Sequence, residues 1–250
     1  MQAYWTLVRR EIGGHFYSWS GYVLVAATVF LMGLNLVILI DSFGNEPTHR
    51  PITELFCGSY PFWIIVLLAP PVVTMRTFAL EKSSGTFETL MTTPVSDTSV
   101  VLAKFSGAMV VYACLWVPLI PCLWLVQKFC RDTMILDPGA LAGALSGILL
   151  LGMVFMSAGC LASALTRSQT VAAIMSFCTG TSLLLLSFLA WAHSGEAGEK
   201  GRMYAQVNIV EQIQDFASGV VDTRPLVLYT TLTAFFLFFT KRVVEGRRWK

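Results

Sequence analysis

The chain predicts an all-α, polytopic membrane protein of six transmembrane helices, one domain over residues 1–250. Three observations carry this. Of its 250 residues, 55% are hydrophobic and 13% charged, where soluble domains carry about 25% charged residues. A mean hydropathy of +0.67 is more apolar surface than a soluble chain of this length can bury. The apolar residues fall into six runs, and the charges between them sort by side.

Residues 1–20 place Trp5, Val8, Ile12, Phe16 and Trp19 at helical spacing, with Arg9 and Arg10 on the other face. That pattern suits a helix lying in the membrane–water interface. The apolar run after it is too long for a signal peptide, and no small-residue cleavage site succeeds it.

The first span covers 21–40, about 30 Å of helix. Asn35 is its one strongly polar side chain, read as an interhelical hydrogen bond worth about 0.6 kcal/mol. Residues 41–56 are polar, with Pro47 and Pro51, and end the span. The second span, 57–75, contains Pro61, Pro70 and Pro71, which predict a kink.

Residues 76–97 interrupt the apolar pattern. With Lys104, the stretch holds Arg76, Glu81, Lys82, Glu88 and Asp97 in a chain where charge is scarce. Ser83, Ser84 and Gly85 are N-cap types, Glu88 falls in the first turn after them, and Pro94 stops the run. Phe87, Leu90 and Met91 share one apolar face. Two readings fit: a surface for a partner, or a loop whose helix rests on the headgroups.

The third span covers 98–126, with Ser96 or Asp97 as its cap, and Pro118 and Pro121 bend its outer half. A short turn, 127–138, leads to the fourth span, 139–165. There Gly143-x-x-x-Gly147 lets another helix approach closely, whether in this chain or another. The fifth span is 170–192. The longest polar segment, 193–224, contains a candidate helix at 207–216 with Val207, Val210, Ile213 and Phe216 on one face. The sixth span, 225–240, precedes a basic tail.

Assigning the segments alternately from the inside puts eleven of the 17 Lys and Arg inside and six outside. Five of the 15 acids fall inside and ten outside. The basic excess places both termini in the cytoplasm, in an inner (cytoplasmic) membrane.

Much chemistry is missing. No G-x-x-x-x-G-K-[ST], H-E-x-x-H or G-x-S-x-G occurs, so no P-loop or hydrolase motif is present. The six cysteines form no C-x-x-C pair and no histidine stands at metal-ligand spacing. No metal or cofactor is expected. Pairing of Cys57 with Cys130, both near the outer face, stays open. No Asp, Glu, Lys or Arg sits deep in a span, which argues against a proton relay. The expectation is a non-catalytic membrane subunit; the alternative is a stand-alone membrane enzyme or channel.

Two segments carry a resemblance. Arg76, Glu81, Gly85-Thr86, Glu88, Leu90, Pro94 and Lys104 resemble the segment between spans two and three of ABC-2 type transporter permeases. Phe216-x-x-Gly219-x-x-Asp222 before the last span, and Thr240-Lys241-Arg242-x-x-Glu245-x-Arg247-Arg248 after it, are similar to the gliding-motility-associated branch. Val244 stands there in place of a leucine. The resemblance implies that 1–20 is an elbow helix and that 76–97 contains a short cytoplasmic coupling helix docking on a separate ATP-binding subunit. Arg76, Glu81, Gly85, Thr86, Phe87, Glu88, Leu90, Met91 and Pro94 are its coupling residues. It further implies export of an unidentified substrate by a dimer, with a second copy or a related permease chain. Segment 193–224 leaves room for extracytoplasmic accessory proteins. No nucleic-acid partner is expected.

Overall fold

The structure is a computed structural model; it describes residues 2–45, 51–87, 95–129, 137–192 and 207–248. Among these no strand occurs, and six helices are long and apolar enough to cross a membrane. The shortest of these spans has 22 residues, about 33 Å at 1.5 Å per residue, against a hydrocarbon core of about 30 Å.

The helices are α1 (Gln2–Phe16), α2 (Trp19–Asn45), α3 (Ile52–Gly58), α4 (Tyr60–Thr74), α5 (Ala79–Ser83) and α6 (Asp97–Trp116). They continue with α7 (Leu119–Phe129), α8 (Pro138–Leu165), α9 (Gln169–Ala192), α10 (Ile209–Ala217) and α11 (Thr223–Arg248). Their ends reflect local chemistry. Ser96 Oγ accepts from the N–H of Ser99 and caps α6. Asp137 accepts from Gly139 N at 3.0 Å, with Pro138 opening α8 where a missing N–H costs nothing. Pro61 likewise falls in the first turn of α4. The third span breaks at Val117–Pro118 between α6 and α7, because Pro118 cannot donate to the helix ladder.

α8 is the centre. Its span is 72% buried, against 22% for the spans of α2, α9 and α11. It packs against α4, α6, α9, α10 and α11. Small residues make this possible. A Cβ on Gly152 would stand 2.1 Å from the Tyr112 ring, and one on Gly159 2.2 Å from Thr74 Oγ1. Lipid tails give helices no hydrophobic reason to associate, so close backbone approach must supply the contact.

Two segments differ from the sequence expectation. Residues 52–58, expected as polar connection and the start of span two, form the separate helix α3, with Ile52, Thr53, Phe56 and Cys57 buried. Cys57 is a free thiol; Cys130 lies outside the described residues. α11 continues through the charged tail to Arg248, helped by Lys241–Glu245 at 3.3 Å and Arg242–Glu245 at 3.4 Å. Asn35 does make an interhelical bond, donating to Phe56 O of α3 at 3.3 Å.

α8 also defines two ends. Gly143 and Gly147 abut α10, while Ser163 and Ala164 abut Phe78, Ala79 and Lys82. The helix between Gly143 and Ser163 holds these ends about 30 Å apart.

Candidate functional site

Glu81, Lys82 and Lys104 of the 76–104 stretch lie together at the α1–α5 end. Lys104 lies seven residues into α6 and is 2% exposed. Its ammonium meets Glu11 Oε1 at 2.7 Å and Glu81 Oε2 at 3.0 Å. It also donates to Thr77 O at 2.5 Å and sits 5.2 Å from the Phe78 ring centroid. Arg10, half-exposed, pairs with Glu81 and lies 3.9 Å from Glu11. Two cations thus face two carboxylates, drawn from α1, α5 and α6. A buried ammonium needs such partners, because desolvating it alone costs far more than any one contact returns.

Backbone contacts finish the junction. Ser163 Oγ of α8 accepts from Phe78 N at 3.1 Å and Ala79 N at 3.0 Å. Lys82 donates to Ala164 O at the end of α8. His15 of α1 lies 2.9 Å from Val73 O of α4 through Nε2, with Nδ1 3.0 Å from Glu11 O. Arg76 turns the other way and donates to Ser18, between α1 and α2, and to Ser20 in the first turn of α2. The segment leaving α4 is therefore tied to α1, α6 and α8 at once.

Several expectations need correction here. No charge was expected deep in a span, yet Lys104 is a buried charge within one, and Glu81, expected among the coupling residues, is occupied inside the chain. Ser83, Ser84 and Gly85 precede a helix as expected, since Thr86 and Phe87 are helical, but they also end another before it. α5 ends at Ser83, Ser84 N donates to Leu80 O, and Gly85 takes φ +75°. That left-handed turn is costly for a residue with a Cβ, so glycine fits it. Thr86 is exposed and Phe87 is 7% exposed, with Lys82 Nζ 5.3 Å from the Phe87 ring. Phe87 is therefore a core residue rather than a presented anchor. Glu88, Leu90, Met91 and Pro94 lie outside the described residues. Lys104 as an ion-pair centre was detectable, being a lone cation in an apolar run; His15 left no sequence signal.

Gly143 and Gly147 pack within the chain at the opposite end. A Cβ on Gly143 would stand 2.2 Å from Phe216 O, and one on Gly147 2.9 Å from Phe216 Cβ. The Phe-x-x-Gly-x-x-Asp pattern then has a physical reading. Phe216 fills the notch, Gly219 turns the chain at φ +90°, and Asp222 Oδ1 accepts from Arg224 N at 3.2 Å at the start of α11. α10 itself is capped by Asn208, which accepts from Glu211 N at 3.3 Å. It buries Ile209, Gln212, Ile213 and Phe216; of the expected face, Ile213 and Phe216 are buried and Val207 and Val210 half-buried. Beside it opens a cleft of about 950 Å³ lined by Glu211, Gln212, Asp215, Asp222 and Arg224 among others. Burial, and then the charges of Glu211, Asp222 and Glu54, push the Asp215 carboxyl above the ordinary carboxylate range.

The arrangement has structural ties and no catalytic constellation: among the described residues no His, Cys, Asp and Glu group could hold a metal. No curated protein matches the chain. A family model described as ABC-2 family transporter protein matches residues 5–241, which takes in the ion cluster, both glycine contacts, the first five spans and most of the sixth. The chain belongs to the ABC-2 family of transporter proteins, membrane-embedded components of ABC transporters whose ATP hydrolysis resides in a separate subunit.

Proposed function

We propose that this chain is the permease subunit of an ABC exporter in the inner membrane, with both termini cytoplasmic. It pairs with a second permease chain, the same or related, and is driven by a separate ATP-binding subunit. The tail pattern supports the gliding-motility-associated branch. In this reading 1–20 is the elbow helix, 76–97 the coupling segment and 193–224 an extracytoplasmic segment. The excess of basic residues at the α1–α5 end supports that orientation.

One observation carries the mechanism: the start of segment 76–97 is bonded to α1, α6 and α8 through Glu81, Lys104, Lys82 and Ser163. A force applied at Ser84–Thr86, which are exposed, reaches three helices without passing through a flexible link. The ATP-binding subunit docks on that exposed turn and on the remainder of the coupling segment. Phe87 anchors the turn to the bundle from below. Because it is buried, Phe87→Ala costs about 3–5 kcal/mol of stability and cannot by itself report on docking.

Copurification tests this. The full chain should bring down an ATP-hydrolysing subunit and a second permease chain. A Thr86→Asp variant should keep its fold and lose that subunit. A preparation that transports with one permease chain and no ATPase would overturn the reading.

A further inference from the structure

Arg76 stands apart from the ion cluster. Its Nη1 donates to Ser18 Oγ and, at 2.6 Å, to Ser20 Oγ. Among the described residues no carboxylate pairs with it, and Nε and Nη2 find no acceptor among them. It is half-buried, as are both serines. The residues alternating with the serines, Tyr17 and Trp19, are 89% and 88% exposed.

Exposed tyrosine and tryptophan at the end of a span settle at headgroup level. The two hydroxyls fix the guanidinium at that depth, with part of its fork unused. A half-buried cation without a counter-charge is costly, and the anion abundant at headgroup depth is lipid phosphate. A guanidinium fork matches two phosphate oxygens, and a serine O–H can reach a third. We propose that Arg76, Ser18 and Ser20 bind the headgroup phosphate of an anionic phospholipid. An unneutralised arginine favours a lipid with net negative charge over a zwitterionic one. The proposal needs only a membrane-spanning chain and is independent of the transport reading.

The test uses the full chain in detergent with added phosphatidylglycerol, read by native mass spectrometry. The wild type should retain one phosphatidylglycerol per chain against an equal amount of phosphatidylcholine. Arg76→Gln should retain it about tenfold less. The double variant Ser18→Ala/Ser20→Ala keeps the cation and should lose about threefold; it decides the matter if Arg76→Gln does not fold. Arg9→Gln, at an exposed arginine of α1, should retain lipid like the wild type. Equal retention by all variants, equal loss in Arg9→Gln, or equal retention of phosphatidylcholine would overturn the proposal. Displacement of the lipid by millimolar inorganic phosphate would also overturn it, by making this a soluble-anion site.

Discussion

Replacing Lys104 by methionine keeps the length of the side chain and removes its charge from the junction. The ammonium lies 2.7 Å from Glu11 and 3.0 Å from Glu81. At an effective dielectric of about 20, each attraction is about 6 kcal/mol gross. Withdrawing the ions from water costs several kcal/mol apiece, so the intact cluster adds little net stability. Removing one member is different, because Glu11 and Glu81, each mostly shielded from water, then keep only Arg10 opposite them. Breaking such a cluster costs about 3–5 kcal/mol. Thermal unfolding in detergent, followed by size-exclusion chromatography, should show Lys104→Met strongly destabilised. Adding Glu81→Gln removes the carboxylate left unpaired. The double variant should therefore be less damaged than the sum of the single variants, by about 0.5–3 kcal/mol. A Lys104→Met protein as stable as the wild type, or strictly additive variants, would refute the reasoning.

Other consequences rest on single contacts. Gly143→Ala puts a methyl 2.2 Å from Phe216 O and should cost about 1–3 kcal/mol of thermal stability, whereas Gly14→Ala, with open space around it, should be nearly neutral. The raised carboxyl of Asp215 means the folded state holds its proton more tightly than the unfolded chain. Its contribution to stability is then full below the ordinary carboxylate range and lost as pH rises through the raised value. Asp215→Asn should flatten the melting profile from the ordinary carboxylate range upward and raise it at the upper end. In a cysteine-free background, Ser194→Cys should react with an impermeant thiol reagent from outside the cell and Ser84→Cys should not; the reverse pattern would invert the topology.

The class and the six spans were legible because an apolar run long enough to cross lipid is a local signal. The cap at Ser96 was legible for the same reason, since it acts within three residues. Ser-Ser-Gly was legible as the start of the helix that Thr86 and Phe87 open, but not as the end of α5 before it, because the same residue types suit both. Glu81 was assigned outward because its partners, Arg10 and Lys104, lie far off in sequence. Nothing in a run of 29 mostly apolar residues says that Glu11 comes to meet Lys104. The Gly143–Gly147 face announced close packing, but its partner, Phe216, lies some 70 residues away and was found only in the folded chain.

The central claim is that the α1–α5 end of the bundle receives the ATP-binding subunit. A photo-crosslinking amino acid at Ser84 and another at Val220 test it, since both positions are exposed and lie at opposite ends. In intact membranes the residue at Ser84 should capture the ATP-binding subunit and the one at Val220 should not. Capture at Val220, or at neither position while the subunits still copurify, would contradict the account.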